Sequence, residues 1–294
     1  MDKYKFSIII PHRNIPSLLR RCLDSIPHRD DVQIIVVDDN SDADKVDFSK
    51  FPGINEKNTE VYFTKEGKGA GYARNVGLKH AKGEWLLFAD ADDMFMPQIE
   101  DAFEFCSRNQ ADVIYLGSCA KDSETLEPSN EMDWEKELLF ESAKGHLSDV
   151  KYRIYHPWAK IFSKSFIDEH KIFFEEVFCS NDTRFSIYCD YYAKQVTVLH
   201  DINTYCYMIR KGSLWHNKSL KWAETNMGVM MRLAKFMGNV NECKQELAFC
   251  DSAWQSLHVI KTFSKTIYAK KLIGILLNKS MQKYIIAKLY NKIR

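Results

Sequence analysis

Residues 84–93 read EWLLFADADD, a run of apolar side chains that ends in three carboxylates within four positions. Trp85 to Phe88 alternate with nothing polar, the pattern of a strand buried on both faces. Asp90, Asp92 and Asp93 then stand at its carboxyl end. Carboxylates crowded in this way repel one another unless something positive sits among them. A hard divalent cation suits such oxygen ligands, and Mg²⁺ or Mn²⁺ is commonly shared between a few carboxylates and substrate phosphates. The plainer alternative is a solvated turn in which one aspartate caps a helix beginning near Pro97.

Working outward, FSIII (6–10) is a short apolar run stopped by Pro11, and SLLRRCLDSI (17–26) has helical spacing. VQIIVVDDNSD (32–42) is a second buried-type strand ending in Asp38 and Asp39, followed by EVYF (60–63). A helix is expected over 72–83 with Gly83 as its stop, another after Pro97, and a strand at DVIYLG (112–117). This alternation predicts an α/β fold with a mostly parallel sheet covered on both faces. In such sheets ligands bind beyond the carboxyl ends of the strands. Two neighbouring strand ends thus present acids to one crevice, and Asp39 can accept from a ring N–H or a hydroxyl of a nucleotide. The same DDNS stretch also suits a helix cap.

Between these strands lies GKGAGYARNVG (67–77). Gly67, Gly69 and Gly71 let the backbone approach a ligand, and Lys68 and Arg74 can neutralise diphosphate oxygens. Arg74 occupies the place of the third glycine of a dinucleotide fingerprint. That gap, with the acid cluster, argues against a nicotinamide oxidoreductase.

The 294 residues suffice for one large domain or two smaller ones, and the 45% hydrophobic and 28% charged composition is that of a soluble globular protein. No apolar run reaches the ~18 residues of a spanning helix, and the N-terminal run is too short for a secretory segment. None of the eight cysteines forms a CxxC pair or a zinc-type spacing, which predicts reduced, mostly core thiols. Residues 120–150 turn polar, and helical spacing dominates after about 216.

The net charge of +1 hides an asymmetry. No acid follows Asp251, yet nine basic residues do, leaving 32 basic against 40 acidic residues before them, a net of −8. A last helix capped by Ser280 is expected, with Met281, Ile285, Ile286, Leu289 and Ile293 broadly on one side and Lys283 and Lys288 flanking it. Such a helix either lies on anionic lipid or packs on the protein's own acidic body. Nucleic acid is disfavoured, because no aromatic-interleaved binding motif accompanies the charge.

Taken in order, FSIIIPHRN, IIVVDDNSD, GYARNVGLKHAKGEWLLFADADD, HPWAKIFSKSFI, SNDTRF and YMIRKGS resemble the inverting nucleotide-sugar glycosyltransferases of family 2. The resemblance runs from residue 5 to about 215. It implies the GT-A fold, with a nucleotide-sugar-binding half at 1–118, an acceptor-binding half at 119–215 and a basic helical extension at 216–294. It also implies transfer of a sugar from a nucleotide donor, UDP-linked in the first instance, to a hydroxyl of a glycan or lipid-linked oligosaccharide in bacterial surface polysaccharide synthesis. Pro11 and Asp39 would flank the base, and Lys68, Arg74, Asp90 and Arg210 would also bind the donor. Asp92 and Asp93 would hold Mn²⁺ or Mg²⁺. Asp182 would be the catalytic base. Tyr205, Arg210 and Ser213 fall in a stretch that closes over the donor, while His156 and Trp158 either touch sugar or pack in the core. The chain would work in the cytoplasm or at the inner face of the plasma membrane. The family's acidic pair reads Asn181-Asp182 here, so a non-catalytic sugar-nucleotide-binding or scaffold subunit is the alternative.

Overall fold

The computed structural model describes residues 4–145, 150–211 and 218–293. Its contacts divide the chain into two units, residues 1–176 with 181–211, and residues 177–180 with 212–294.

The first unit is built on one sheet. Strands β1 (Phe6–His12), β2 (Val32–Asp39), β3 (Thr59–Thr64) and β4 (Trp85–Phe88) run parallel in the order β3-β2-β1-β4. Helices α1 (Pro16–Asp24) and α2 (Ala70–His80) make the crossovers. Beyond β4 the sheet turns mixed. β5 (Met94–Phe95), α3 (Ile99–Cys106), β6 (Val113–Asp122), β7 (Pro128–Ser129) and α4 (Asp133–Ala143) come next. They are followed by β8 (Lys160–Ser163), α5 (Lys164–Glu169), α6 (Asn181–Tyr192) and β9 (Val196–Ile209). β8 pairs antiparallel with both β4 and β6, and β9 runs parallel to β6. The mostly parallel pattern expected from the sequence holds across the first four strands and returns between β6 and β9, while β5, β7 and β8 pair antiparallel. The 118/119 boundary drawn from the sequence falls inside β6, and the one at 215/216 lies outside the described residues.

Alternation along β1 separates two cores. Ile8 and Ile10 pack on one face with Leu19, Cys22 and Phe103, while Ile9 faces the other with Val37, Phe88 and Phe185. Strand β1 is buried throughout, which is why it reads as a continuous apolar run. Proline inside a central strand removes a ladder hydrogen bond, yet Pro11 is tolerated here. The β1–β4 register ends at Ile9 opposite Phe88, while on the β2 side Pro11 still pairs with Val37. The backbone of Ile9 faces β4, accepting from Ala89, and by alternation Pro11 faces that side too, just where β1 and β4 part and the crevice opens.

Gly83 does not stop α2 by a left-handed turn. The helix ends at His80, and a Cβ on Gly83 would lie 2.5 Å from the Phe6 carbonyl carbon, so glycine is required by the close passage over β1. A register shift between β6 and β9 at Leu116–Ser118 lets β9 bend and continue beside β5, where Tyr205 and Cys206 pair with Phe95 and Met94.

The second unit contains α7 (Leu220–Asn239), α8 (Cys243–Phe263), α9 (Lys265–Leu276) and α10 (Lys279–Ile293). The cap of α10 is Asn278 and not Ser280: the Asn278 side chain accepts from the Met281 amide at 3.1 Å, and Ser280 is buried inside the first turn. Met281 and Tyr284 face inward. Lys283 pairs with buried Glu246 at 3.1 Å and Lys288 with Asp251 at 3.3 Å, so this side of α10 packs on the unit's own helices. None of the described helices is long and apolar enough to cross a membrane.

Candidate active site

The crevice at the carboxyl ends of β1, β2 and β4 gathers the acids that the sequence pointed to. Asp38 is structural. Its Oδ1 meets His12 Nδ1 at 2.7 Å and accepts from the Ser41 hydroxyl at 2.5 Å, while Oδ2 accepts from the Ser41 amide at 2.9 Å. Burial pushes this carboxyl up, but the bonds from His12 and Ser41 outweigh it and hold it below the ordinary carboxylate range. The DDNS stretch thus closes a turn and caps no helix.

Asp39, beside it, accepts from the backbone amides of Lys68 at 3.1 Å and Gly69 at 2.6 Å. The glycine turn is therefore tied to β2, and Gly69 holds φ at +96°, a left-handed conformation that glycine adopts without strain. A carboxylate offers about four lone-pair directions, so Asp39 retains capacity to accept from a ligand. The Lys68 side chain lies over the Tyr72 ring and is about half exposed, 3.9 Å from Glu176.

The carboxylates of residues 90–93 are kept apart by two arginines and a tyrosine. Arg74, almost fully buried on α2, donates from Nη2 to Asp90 Oδ1 at 2.5 Å and from Nη1 to Asn181 Oδ1 at 2.7 Å. Arg210, at the end of β9, donates from Nε to Asp92 Oδ2 at 2.5 Å. Asp93 is 1% exposed and turns away from the crevice. It accepts from the Tyr205 hydroxyl at 2.8 Å and from the Met208 amide at 2.7 Å. Burial and the charges of Asp92 and Asp90 raise its carboxyl well above the usual range. Tyr205 in turn accepts from the Asp90 amide at 2.9 Å. The three acids thus serve different ends: Asp90 and Asp92 edge the crevice, and Asp93 fastens the loop to β9.

Asp182 sits in the first turn of α6, next to Asn181. Burial raises its carboxyl above the ordinary carboxylate range and the charge of Asp90 adds to this, while Arg74 opposes both. Gly71 lets α2 approach this segment: a Cβ there would lie 2.2 Å from the Glu175 carbonyl oxygen and 2.9 Å from Asn181 Cβ.

Trp158 proves to be a packing residue. It is 6% exposed and stacked between His156 and Tyr205. His156 meets buried Glu135 at 2.6 Å. The structure thus brings together Asp39 with Lys68, Arg74 with Asp90, and Arg210 with Asp92, and it sets Pro11 where β1 and β4 part. Ser213 lies outside the described residues. Sequence reasoning missed Arg21, which donates to the Asp92 carbonyl at 2.8 Å and to Ser123, and it missed the loop-fastening role of Tyr205. Arg21 lies in an ordinary amphipathic helix that carries no motif.

A family profile described as "Glycosyl transferase family 2" matches residues 7–171. The chain belongs to glycosyltransferase family 2. It is 25% identical over 255 residues to EpsH of Bacillus subtilis (strain 168), described as a candidate glycosyltransferase, covering 83% of this chain and 72% of that protein. It is 30% identical over 216 residues to the poly(ribitol-phosphate) beta-glucosyltransferase of Bacillus spizizenii, covering 71% of this chain but 33% of that protein. This family 2 chain therefore spans about a third of the length of that relative. The fold is similar to that of residues 1–349 of Staphylococcus aureus TarS solved with UDP-GlcNAc, with a TM-score of 0.66, 22% identity, and coverage of 89% of this chain and 74% of that one. The mixed α/β sheet with helices on both faces is thus a GT-A fold, and the protein is a glycosyltransferase.

Proposed function

We propose that this glycosyltransferase moves a sugar from a nucleotide donor, UDP-linked first of all, to a hydroxyl of a surface glycan or lipid-linked oligosaccharide, with inversion and with a divalent metal. The observation that carries this reading is Asp182, a carboxylate with raised proton affinity whose neighbour Asn181 is bonded through Arg74 to Asp90. Base and donor side are thereby held in one framework. Asp182 takes the acceptor hydroxyl's proton. The oxygen then attacks the anomeric carbon from the face opposite the diphosphate, the new C–O bond forms as the bond to phosphate oxygen breaks, and the configuration inverts. In this reading Lys68 and Arg210 meet the departing negative charge.

Among the described residues no group of three or more His, Cys, Asp or Glu could hold a metal. A site of one or two carboxylates completed by the donor's phosphates is the form Mg²⁺ and Mn²⁺ commonly take, and Asp90 with Asp92 fits it. Such an ion would offset charge on the leaving diphosphate. Asp93, with both oxygens bonded inside the fold, is better suited to holding the loop than to ligation. The UDP-GlcNAc complex of TarS and the poly(ribitol-phosphate) transferase support a UDP-sugar and a surface polymer. The cytoplasm, where nucleotide sugars are available, is the proposed site of action.

Calorimetry of UDP binding with and without Mn²⁺ is the direct test, followed by a turnover screen of UDP-sugars. Metal-dependent binding with turnover, and loss of turnover alone in Asp182→Asn, is expected. Binding without turnover on any donor would favour the non-catalytic subunit that Asn181 first suggested. No binding to any nucleoside diphosphate with either metal would overturn the reading.

A further inference from the structure

In the helical unit, apolar side chains point to solvent where a self-contained bundle would place polar ones. On α9 the inward side is Ile275, while Ile273 and Leu277 are 62% and 75% exposed and Leu276 is exposed as well. On α10, Ile286 and Leu289 are 67% and 57% exposed. Scattered exposed leucines are ordinary, but a stripe of them along one helix marks a contact surface.

The arrangement around α9 says what kind of contact. At 3.6 residues per turn, Leu276, Ala269, Ile273 and Leu277 fill an arc of about 100°, interrupted only by Thr266, and Lys265 and Lys270 stand just beyond its two edges. Lysines at the margins of an apolar stripe can lay their stems along it and lift their ammonium groups to a charged interface. Three lysines of this region are committed within the unit, Lys271 to Glu224, Lys283 to Glu246 and Lys288 to Asp251. Lys265, Lys270 and Lys279 have no ion pair among the described residues. No acid follows Asp251 in the sequence. A second copy of the chain would set one lysine rim against another, whereas an anionic lipid surface complements the rim and accepts the apolar stripe between.

We infer that the outward face of α9 is a docking surface for an anionic lipid interface. The helix lies along the surface without crossing it, with Ile273 and Leu277 entering the acyl boundary and Lys265 and Lys270 meeting headgroup phosphates. This differs from the contact that the sequence suggested, since Met281, Lys283 and Lys288 are engaged inside the unit.

The test needs no nucleotide or sugar, so its outcome is separate from the catalytic reading. The full chain is sedimented with vesicles of phosphatidylcholine alone and with one-third phosphatidylglycerol, at low and high salt, beside light scattering of the lipid-free protein. Binding to the anionic vesicles that falls at high salt is expected, with at least a tenfold loss in Ile273→Glu/Leu277→Glu and a smaller loss in Lys265→Gln/Lys270→Gln. Both pairs are exposed, and thermal unfolding checks that they fold. Undiminished binding of the Ile273→Glu/Leu277→Glu variant overturns the proposal, since charge alone then suffices. So does absence of binding, whether the free protein is monomeric or self-associates through this face.

Discussion

Arg74 Nη1 donates to Asn181 Oδ1 at 2.7 Å, joining α2 to the first turn of α6 across the mouth of the sheet. The partner is a neutral amide, so among the described residues the guanidinium's ion pair is with Asp90, and its field also reaches the neighbouring Asp182 carboxyl. That field opposes the upward push of burial and of Asp90.

The acid limb of the rate profile follows. Asp182 must be ionised to act as base, so kcat/KM falls as pH drops through its raised value, above the ~3.9 of an unperturbed aspartate. Arg74→Met removes the opposing charge, and Asn181→Asp cancels it. Both variants are expected to move the limb upward, by about 1 pH unit. A limb that stays in place in both would show that another group controls it.

Replacing Asp182 by Asn is expected to lower kcat by about 10²–10⁴-fold, the usual worth of a positioned base. Donor affinity, measured by calorimetry, should stay within about threefold, because the base addresses the acceptor. A weakened donor instead would assign Asp182 to nucleotide binding.

Tyr205→Phe leaves the Asp90 amide and one oxygen of buried Asp93 without their partner. A loss of about 1–3 kcal/mol is expected in denaturant unfolding. The loop carrying Asp92 then loses one of its ties and keeps those to Met208, Arg21, Arg74 and Arg210, so metal-dependent nucleotide binding should weaken as well. Unchanged stability would mean that Tyr205 serves only as a packing ring.

Asp38 gives the opposite sign from Asp182. Its folded value is depressed, so its contribution is present above the unfolded value near ~3.9 and is lost as pH falls through the folded one. Asp38→Asn should be less stable at neutral pH by about 1–3 kcal/mol, and the gap should narrow in acid. A gap independent of pH would assign the effect to shape.

Much of this was readable in advance because a buried parallel strand needs no partner information: FSIII, IIVV and WLLF are nearly continuous apolar runs, and the last two end at acids. The four parallel strands and the crevice followed from that. The mixed half was less legible, since β8 and β9 pair according to long-range register and a bulge at Gly117, where a Cβ would meet the Ile202 carbonyl at 2.4 Å. Within the site, residue type marked the acids but not their division of labour. Nothing in DADD shows that Asp93 turns inward while Asp92 meets Arg210, because β9, more than a hundred residues away, decides it. For Lys283 and Lys288 the sequence left lipid and the protein's own acids both open, and Glu246 and Asp251 of α8 are the acids they meet.

The burial of the thiols has a practical consequence. Cys22, Cys106, Cys179, Cys189, Cys206 and Cys250 are buried, and burial raises Cys106 and Cys250 to about 12. Cys243 is exposed, at the start of α8. Cys119 on β6 is partly exposed and lowered to about 7, first through its bond with Cys206. A maleimide probe should therefore mark the folded chain first at one position in each unit, leaving the remaining thiols to react only as their surroundings open. Peptide mapping of the later adducts then follows the unfolding of sheet and helices separately, in a chain that needs no added cysteine.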